Sequence, residues 1–408
     1  MHLPPATRHH LTAAALTAAA VLALAAAPAS ADLFEVVVQG TADTRRVGGN
    51  SLLNLATDVA DQSGQFAVFQ GQAFTANFNY AGLQNAVVVT SNADNSVITL
   101  AIPSTGFSRT FDEADGDIED QIEDFLKSDG AGELAKFIQV VNEQTLVGVT
   151  DGNPTAFTAT TSNETFRLFG DFRNAFGDHP QGADGLRLYF NGGAIDTDVG
   201  AGYQFEGALT SAFRFTDHVG LVFDSIVAYR NIEDAETITG AFILGLPIKI
   251  TPELSDEQPL LWQITPNFHI GGGGSADQLS GGLVLGGGVT NLLGVKVGDF
   301  FLSSGQHLAR YEGQPIEAAG YEFETDVGQT VFKGSLALTY GGIGEAAFLQ
   351  GGVVYTDFLD DAAVDNYVSP FAAVGIKLGK GVLRVGYVAD LADGFTVHRG
   401  EAEVRFAL

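Results

Sequence analysis

Between Tyr203 and Phe215 the chain alternates: Tyr203, Phe205, Leu209, Phe213 and Phe215 occupy odd positions, while Gln204, Glu206, Thr210 and Arg214 occupy even ones. A period of two is the signature of an extended strand, so this stretch has one oily and one wet face. Aromatic residues stand at both ends of the oily face. From Tyr203 to Phe213 the rise, at roughly 3.3 Å per residue and about 45° of tilt, covers about 23 Å of height. That is close to the apolar band of a membrane-spanning barrel with its two aromatic girdles, and longer than a soluble sandwich strand commonly needs.

The same pattern recurs from Leu186 onward. Leu186, Leu188 and Phe190 alternate with Arg187, Tyr189 and Asn191; Leu221, Phe223 and Val227 alternate with Gly220, Asp224 and Ala228; Trp262, Ile264 and Phe268 alternate with Gln263, Thr265 and Asn267. Further strands follow at close spacing to Leu408, and the pattern predicts about 12 of them. Tight connections such as Thr216-Asp217 and Gly379-Lys380-Gly381 read as hairpin turns. Acidic ones, Ile232–Glu236, Glu253–Gln258 and Asp357–Asp365, read as longer loops on the opposite side.

Composition narrows the function classes. The formal net charge of −29 argues against nucleic acid and against a basic patch docking on anionic lipid. With no cysteine there are no disulfides, thiolate metal sites or cysteine nucleophiles. At the start, Arg8 precedes an Ala/Leu/Val run from Leu11 to Ala27 and the small-x-small triplet Ala29-Ser30-Ala31. These read as a cleaved export signal over residues 1–31.

Residues 32–165 read as a separate, small α+β unit, periplasmic or plug-like. Leu33–Gly40, Phe66–Tyr80, Asn85–Ser91 and Ser96–Pro103 read as strands, and Ala93-Asp94-Asn95 as the turn joining the last two. Leu52–Ala56 reads as a short helical or irregular link. The period then changes: Ile118, Ile122, Phe125 and Leu126 share one helix face, and Leu134, Phe137, Ile138 and Val141 share another after Gly130-Ala131-Gly132. Asp151–Pro154 and the Thr/Ser-rich Ala159–Thr165 read as the linker to a barrel over 166–408.

Few residues suggest chemistry. Ser303 and His307 could be read as a nucleophile and base, but isolated Ser and His of this kind are usually plain loop residues. Phe111–Asp124 is rich in carboxylates, yet with Gly116 as the invariant glycine the first EF-hand ligand would be Phe111; an acidic first helical turn explains Asp115, Asp117 and Glu119 directly. Gly271–Gly274 and Gly286–Gly288 lack the Lys-Ser/Thr of a phosphate loop and interrupt strands, which points to bends or close packing. No catalytic residue, metal ligand or cofactor site is expected.

The informative set is charged: Arg187, Glu206, Arg214, Asp224, Arg230, Lys249, Lys333, Arg384, Glu403 and Arg405 all fall within the strand region. On a lipid-facing surface such charges would cost about 2 to 4 kcal/mol each near the midplane, so in a membrane barrel they line the lumen.

The last stretch, Glu401-Ala402-Glu403-Val404-Arg405-Phe406-Ala407-Leu408, carries apolar residues at every second position from its end. It resembles the C-terminal strand signal of bacterial outer-membrane β-barrel proteins, departing from the commonest form by ending on Leu408 with Phe406 two residues earlier. The resemblance covers roughly Leu186 to Leu408. It implies insertion by the barrel assembly machinery and an outer-membrane location reached through the periplasm.

The expected fold is therefore mainly β: an antiparallel transmembrane barrel of about 12 strands after a small α+β domain. The expected role is a passive channel for small solutes or a structural envelope protein, porin-like and not an enzyme. A surface adhesin using the acidic loops is the alternative, and a barrel hydrolase a more remote one. An autotransporter is disfavoured by the short region before the barrel, which has no repeated strand ladder. Expected partners are outer-membrane lipid, the assembly machinery, a small-solute permeant and further copies of the chain.

Overall fold

The computed structural model describes residues 32–61, 63–127, 130–171, 185–251, 258–278, 280–314, 316–318, 321–323, 327–343, 347–379 and 381–407. The export signal, His179, most of the Glu253–Gln258 loop and Leu408 lie outside them.

Residues 32–144 form a six-stranded antiparallel sheet with three helices of ten or more residues and a single helical turn at Ser63–Phe66. The strands are β1 (Phe34–Gly40), β2 (Thr44–Gly49), β3 (Phe74–Tyr80), β4 (Leu83–Ser91), β5 (Val97–Ile102) and β6 (Phe107–Asp112), in the order β2-β1-β3-β4-β5-β6. Helices α1 (Leu52–Asp61), α2 (Ile118–Lys127) and α3 (Gly130–Gln144) cover it, and their apolar spacing places Leu55, Phe125, Phe137 and Val141 in the core. β2 and β6 go beyond the sequence reading, while the long strand expected from Phe66 begins only at Phe74. A 3-10 turn at Ala67–Phe69 and the left-handed Gly71 (φ 69°) break the extended run ahead of it.

Twelve further strands close into an antiparallel barrel. They are β7 (Gly185–Thr197), β8 (Gly200–Arg214), β9 (Gly220–Ile232), β10 (Ala235–Gly245), β11 (Leu260–Ser275), β12 (Ser280–Val297), β13 (Phe300–Gln314), β14 (Gly328–Ile343), β15 (Ala347–Phe358), β16 (Asn366–Leu378), β17 (Gly381–Ala392) and β18 (Phe395–Ala407). Each pairs with its chain neighbours, and β18 returns to β7 in register from Phe395↔Thr197 to Ala407↔Gly185. Closure leaves no free edge.

The polarity is inside-out for a soluble barrel. Outward residues such as Phe242 (67% exposed) and Val227 (57%) face the surroundings, whereas Gln263, Thr265 and Lys333 (0% each) face inward. Aromatic rings gather near both rims: Tyr203 packs beside Phe205 and Tyr229 at one, and Phe213 beside Phe223 and Phe300 beside Tyr340 at the other. An oily outer band with aromatic rims around a polar interior is the build of a transmembrane β-barrel.

Because the strand number is even, β7 begins and β18 ends at one mouth, here called the strand-end mouth. The α+β domain sits on the opposite mouth. Its core residues Phe34, Tyr80 and Phe137 share one apolar cluster with Ile195, Ile232, Ala235, Val364, Phe395 and Val397 from that rim. Tyr80 seals the contact: its hydroxyl donates to the Gln278 carbonyl at 2.9 Å, and burial pushes the phenol well above its ordinary range, so it stays a donor.

The connections differ from the sequence reading. Ile232–Glu236 holds a two-residue turn, Glu233 and Asp234, both in the left-handed region (φ 50° and 68°), which joins β9 to β10 directly. Asp357–Asp365 is folded over the domain mouth: Val364 is buried and its amide donates to the Gly152 carbonyl at 3.0 Å. Long connections occur at both mouths, residues 246–259 at one and 315–327 at the other, so they are not segregated to one side.

Candidate functional site: a helix seated in the lumen

The segment read as a linker contains a helix of which eleven of thirteen residues are buried. Residues 145–156 form a compact stopper at the domain mouth, and α4 (Phe157–Phe169) then runs down the lumen to the strand-end mouth. No apolar stripe announces it: Thr158, Thr160, Thr161, Ser162, Glu164 and Thr165 are all buried. A helix buried in a polar lumen needs hydrogen-bonding groups where a core helix needs apolar ones, so the usual amphipathic signal is missing.

Arg230 fixes the stopper. Its guanidinium donates to the carbonyls of Val147 (2.7 Å) and Gly148 (3.1 Å), and to Asn153 Oδ1 and Thr155 Oγ1 (3.2 and 2.8 Å). Close packing finishes the job, since a Cβ on Gly148 or on the left-handed Gly152 would lie 2.4 Å from the Asn142 carbonyl oxygen.

On one side α4 lies against β9 to β14. There the wall lacks side chains where the helix is widest. A Cβ on Gly245 would lie 2.2 Å from Phe169, one on Gly271 2.9 Å from Phe157, and one on Gly305 2.4 Å from the Gly170 carbonyl oxygen. Within the run Gly271–Gly274, Gly271 meets both the helix and the neighbouring strand, Gly272 and Gly273 meet neighbouring strands only, and Gly274 meets nothing closer than 3.9 Å, so close packing accounts for the first three. Gly305→Val is expected to lower the temperature at which the barrel loses its heat-resistant gel mobility, from an overpacking cost of about 1 to 3 kcal/mol. Gly207→Val is the control, because its Cβ would meet Phe190 only at 3.6 Å. Equal melting of the two variants would show that the groove does not seat the helix.

The other side of α4 is bonded to charge. Glu164 accepts from Arg187 Nη1 at 2.6 Å and pairs with Arg167 one turn on. Arg187 also reaches Glu403 at 2.9 Å and Thr210 Oγ1 at 3.0 Å, and Arg405 pairs with Glu403 at 2.5 Å. Arg167 stacks on Tyr189, 3.1 Å from the ring centre, and lies 3.6 Å from Glu401. Below it Arg384 lies near Asp171 (3.8 Å) and Glu401 (3.5 Å). Higher up Lys333 Nζ donates to Asn163 Oδ1 and Thr356 Oγ1, both at 2.7 Å, and Thr165 Oγ1 lies 3.1 Å from His269 Nε2.

Of the charged residues singled out in the sequence, Arg187, Asp224, Lys333, Arg384, Glu403 and Arg405 stand around α4. Glu206 lies next to them, bonded to Asn191. Arg230 is at the domain mouth and Lys249 near the other. Arg214 is not with them: it is at the strand-end rim, bonded to the Thr216 carbonyl and Asp217. The reading missed Asp390, Arg399 and Glu401, although Arg399 and Glu401 share the inward parity of Glu403 and Arg405 on β18. Arg399 pairs with Asp390 at 2.5 Å.

Ser303 and His307 do not act on each other. Four residues along one strand separate them by about 13 Å, and His307 Nδ1 lies 2.9 Å from Thr290 Oγ1. Among the described residues no group of three or more His, Asp or Glu could hold a metal ion. Beside α4 remains a cavity of about 90 Å³, lined by polar residues such as Asn163, Arg384, Asp390 and Glu401.

No family model and no curated protein matches the chain. Solved structures similar to it include the translocator domain of the autotransporter NalP from Neisseria meningitidis, with 14% identity, TM-score 0.45, and 62% of this chain and 97% of that one covered. An outer membrane channel from Pseudomonas putida F1 gives 10% identity, TM-score 0.43, and coverages of 55% and 96%. The transport unit of the autotransporter AIDA-I from Escherichia coli gives 11% identity, TM-score 0.38, and coverages of 62% and 98%.

Proposed function

We propose that the chain is an outer-membrane anchor that holds its α+β domain on the membrane face opposite its own strand ends. One observation carries this reading: α4 crosses the lumen and joins a domain on one mouth to a strand that starts at the other. Insertion from the periplasm, which the resemblance of the last strand implies, leaves the strand ends facing the periplasm and the domain at the cell surface. The lumen in this reading is a socket, its charges engaged by Glu164 and Arg167. The domain, with its own core, is the part that meets the surroundings and carries any adhesive role. A passive channel is the second reading, favoured by the cavity of about 90 Å³ beside the helix, where Arg384, Asp390 and Glu401 stand among apolar side chains.

The absence of cysteine makes the test direct. Single cysteines are placed at exposed Ser104 in the domain and exposed Asp299 in the turn between β12 and β13. A membrane-impermeant maleimide should label the Ser104→Cys protein on intact cells and the Asp299→Cys protein only after the outer membrane is opened. Equal labelling of both, or the reverse order, overturns the proposal.

A further inference from the structure

The outer band of the barrel is not uniformly oily. On β11 to β13, four outward side chains form a hydrogen-bonded chain: Trp262 Nε1 donates to Asn291 Oδ1 (2.9 Å), Asn291 Nδ2 to Gln306 Oε1 (2.6 Å), and Gln306 Nε2 to Ser304 Oγ (2.6 Å). They are half-exposed; Trp262 stands near the strand-end rim, third in its strand, while Asn291, Ser304 and Gln306 lie further into the band. Leu302 and Leu308 flank Ser304 and Gln306 along β13, and Val289 and Leu293 flank Asn291 along β12, all four of them exposed. Asn291 pairs in register with Gln306, and Gln306 with Gly334, which offers no side chain to cover the amide.

At this depth there is no water to complete the bonding of two primary amides, and a lipid headgroup does not reach them. Each amide has two N–H donors and an acceptor oxygen, and the internal chain uses one N–H of each, so a second N–H on both Asn291 and Gln306 is left for a further acceptor. An outward amide pair is complementary to itself when related by a two-fold axis, as an isologous contact requires.

We infer that β11 to β14 form an interface at which a second copy of this chain packs within the membrane, with Asn291 and Gln306 of each copy bonded across the axis and the flanking leucines around them. The inference rests on the barrel spanning a bilayer. The contact joins polar groups that lipid cannot satisfy, as polar side chains do between membrane helices.

The test is the mass of the full-length protein in mild detergent, by light scattering corrected for bound detergent, together with crosslinking after reconstitution into phosphatidylcholine vesicles. The native chain should run at about twice its single-chain mass, and the Asn291→Leu/Gln306→Leu variant at the single-chain mass, with unchanged heat-resistant gel mobility. Two outcomes overturn the inference: a native protein that is monomeric in both settings, or a leucine variant that remains dimeric. If the native monomer still inserts into vesicles, only the dimer is lost. A chain that does not insert removes the membrane reading as well.

Discussion

Replacing Glu164 by alanine is expected to unseat the lumen helix and give a barrel that conducts. Glu164 is fully buried, bonded to Arg187 from the wall and to Arg167 from its own helix. Its removal leaves two guanidinium groups with one fewer carboxylate in a site closed to bulk solvent. Breaking a buried pair from one side costs about 3 to 5 kcal/mol, because the remaining charge stays buried and under-compensated. The native protein in a planar bilayer should be nearly silent, the Glu164→Ala protein should show discrete openings, and Glu164→Gln, which keeps an acceptor for Arg187, should lie between them. The open lumen should favour anions. Among the described residues the wall carries Arg187, Arg230, Lys249, Lys333, Arg384, Arg399 and Arg405 against Glu206, Asp224, Asp390, Glu401 and Glu403, seven bases to five acids. A Glu164→Ala protein as silent as the native one would show that the ion pairs do not hold the helix.

Arg230→Ala should loosen the other end. Arg230 donates to two backbone carbonyls of the stopper; alanine would leave that of Val147 buried without this donor, at about 1 to 3 kcal/mol, while Asn153 still donates to that of Gly148. Hydrogen exchange of residues 145–156 should accelerate while that of the barrel strands stays slow, and Arg230→Lys should rescue little, because an ammonium cannot reach several acceptors in one plane as the guanidinium fork does. Unchanged protection of 145–156 would remove Arg230 from the role of clamp.

The barrel was legible in the sequence because its lipid-facing constraint is periodic. Phe205, Leu209 and Phe213 must be apolar at every second or fourth residue, and that requirement is local. The two helices over Ile118–Lys127 and Gly130–Gln144 were legible for the same reason, since Phe125, Phe137 and Val141 face an ordinary apolar core. The lumen helix was not, because its environment is assembled from strands up to about 240 residues further along the chain, Glu403 among them. In sequence, Thr158 to Thr165 have the composition of a solvated linker, and only the closed barrel supplies His269, Lys333 and Gln329 as their partners. The acidic Ile232–Glu236 turn was misread in a related way. Charge suggested a loop, while the backbone at Glu233 and Asp234 makes a tight hairpin that Ile232 and Ala235 anchor in the domain contact.

The seam between β7 and β18 has a topological consequence. With the α+β domain on one mouth and α4 leading through the lumen to a strand that starts at the other, the closed molecule is threaded like a noose whose free end carries a stopper. A folded six-stranded domain cannot slide through a lumen that one helix fills. Its chain therefore either crossed unfolded and folded on the far side, or was already in place when Phe395–Ala407 zipped onto Gly185–Thr197. Thereafter retention of the domain no longer depends on the affinity of any single contact. It lasts as long as the seam stays shut and the domain stays folded, so the lifetime of the threaded arrangement is set by an unfolding rate.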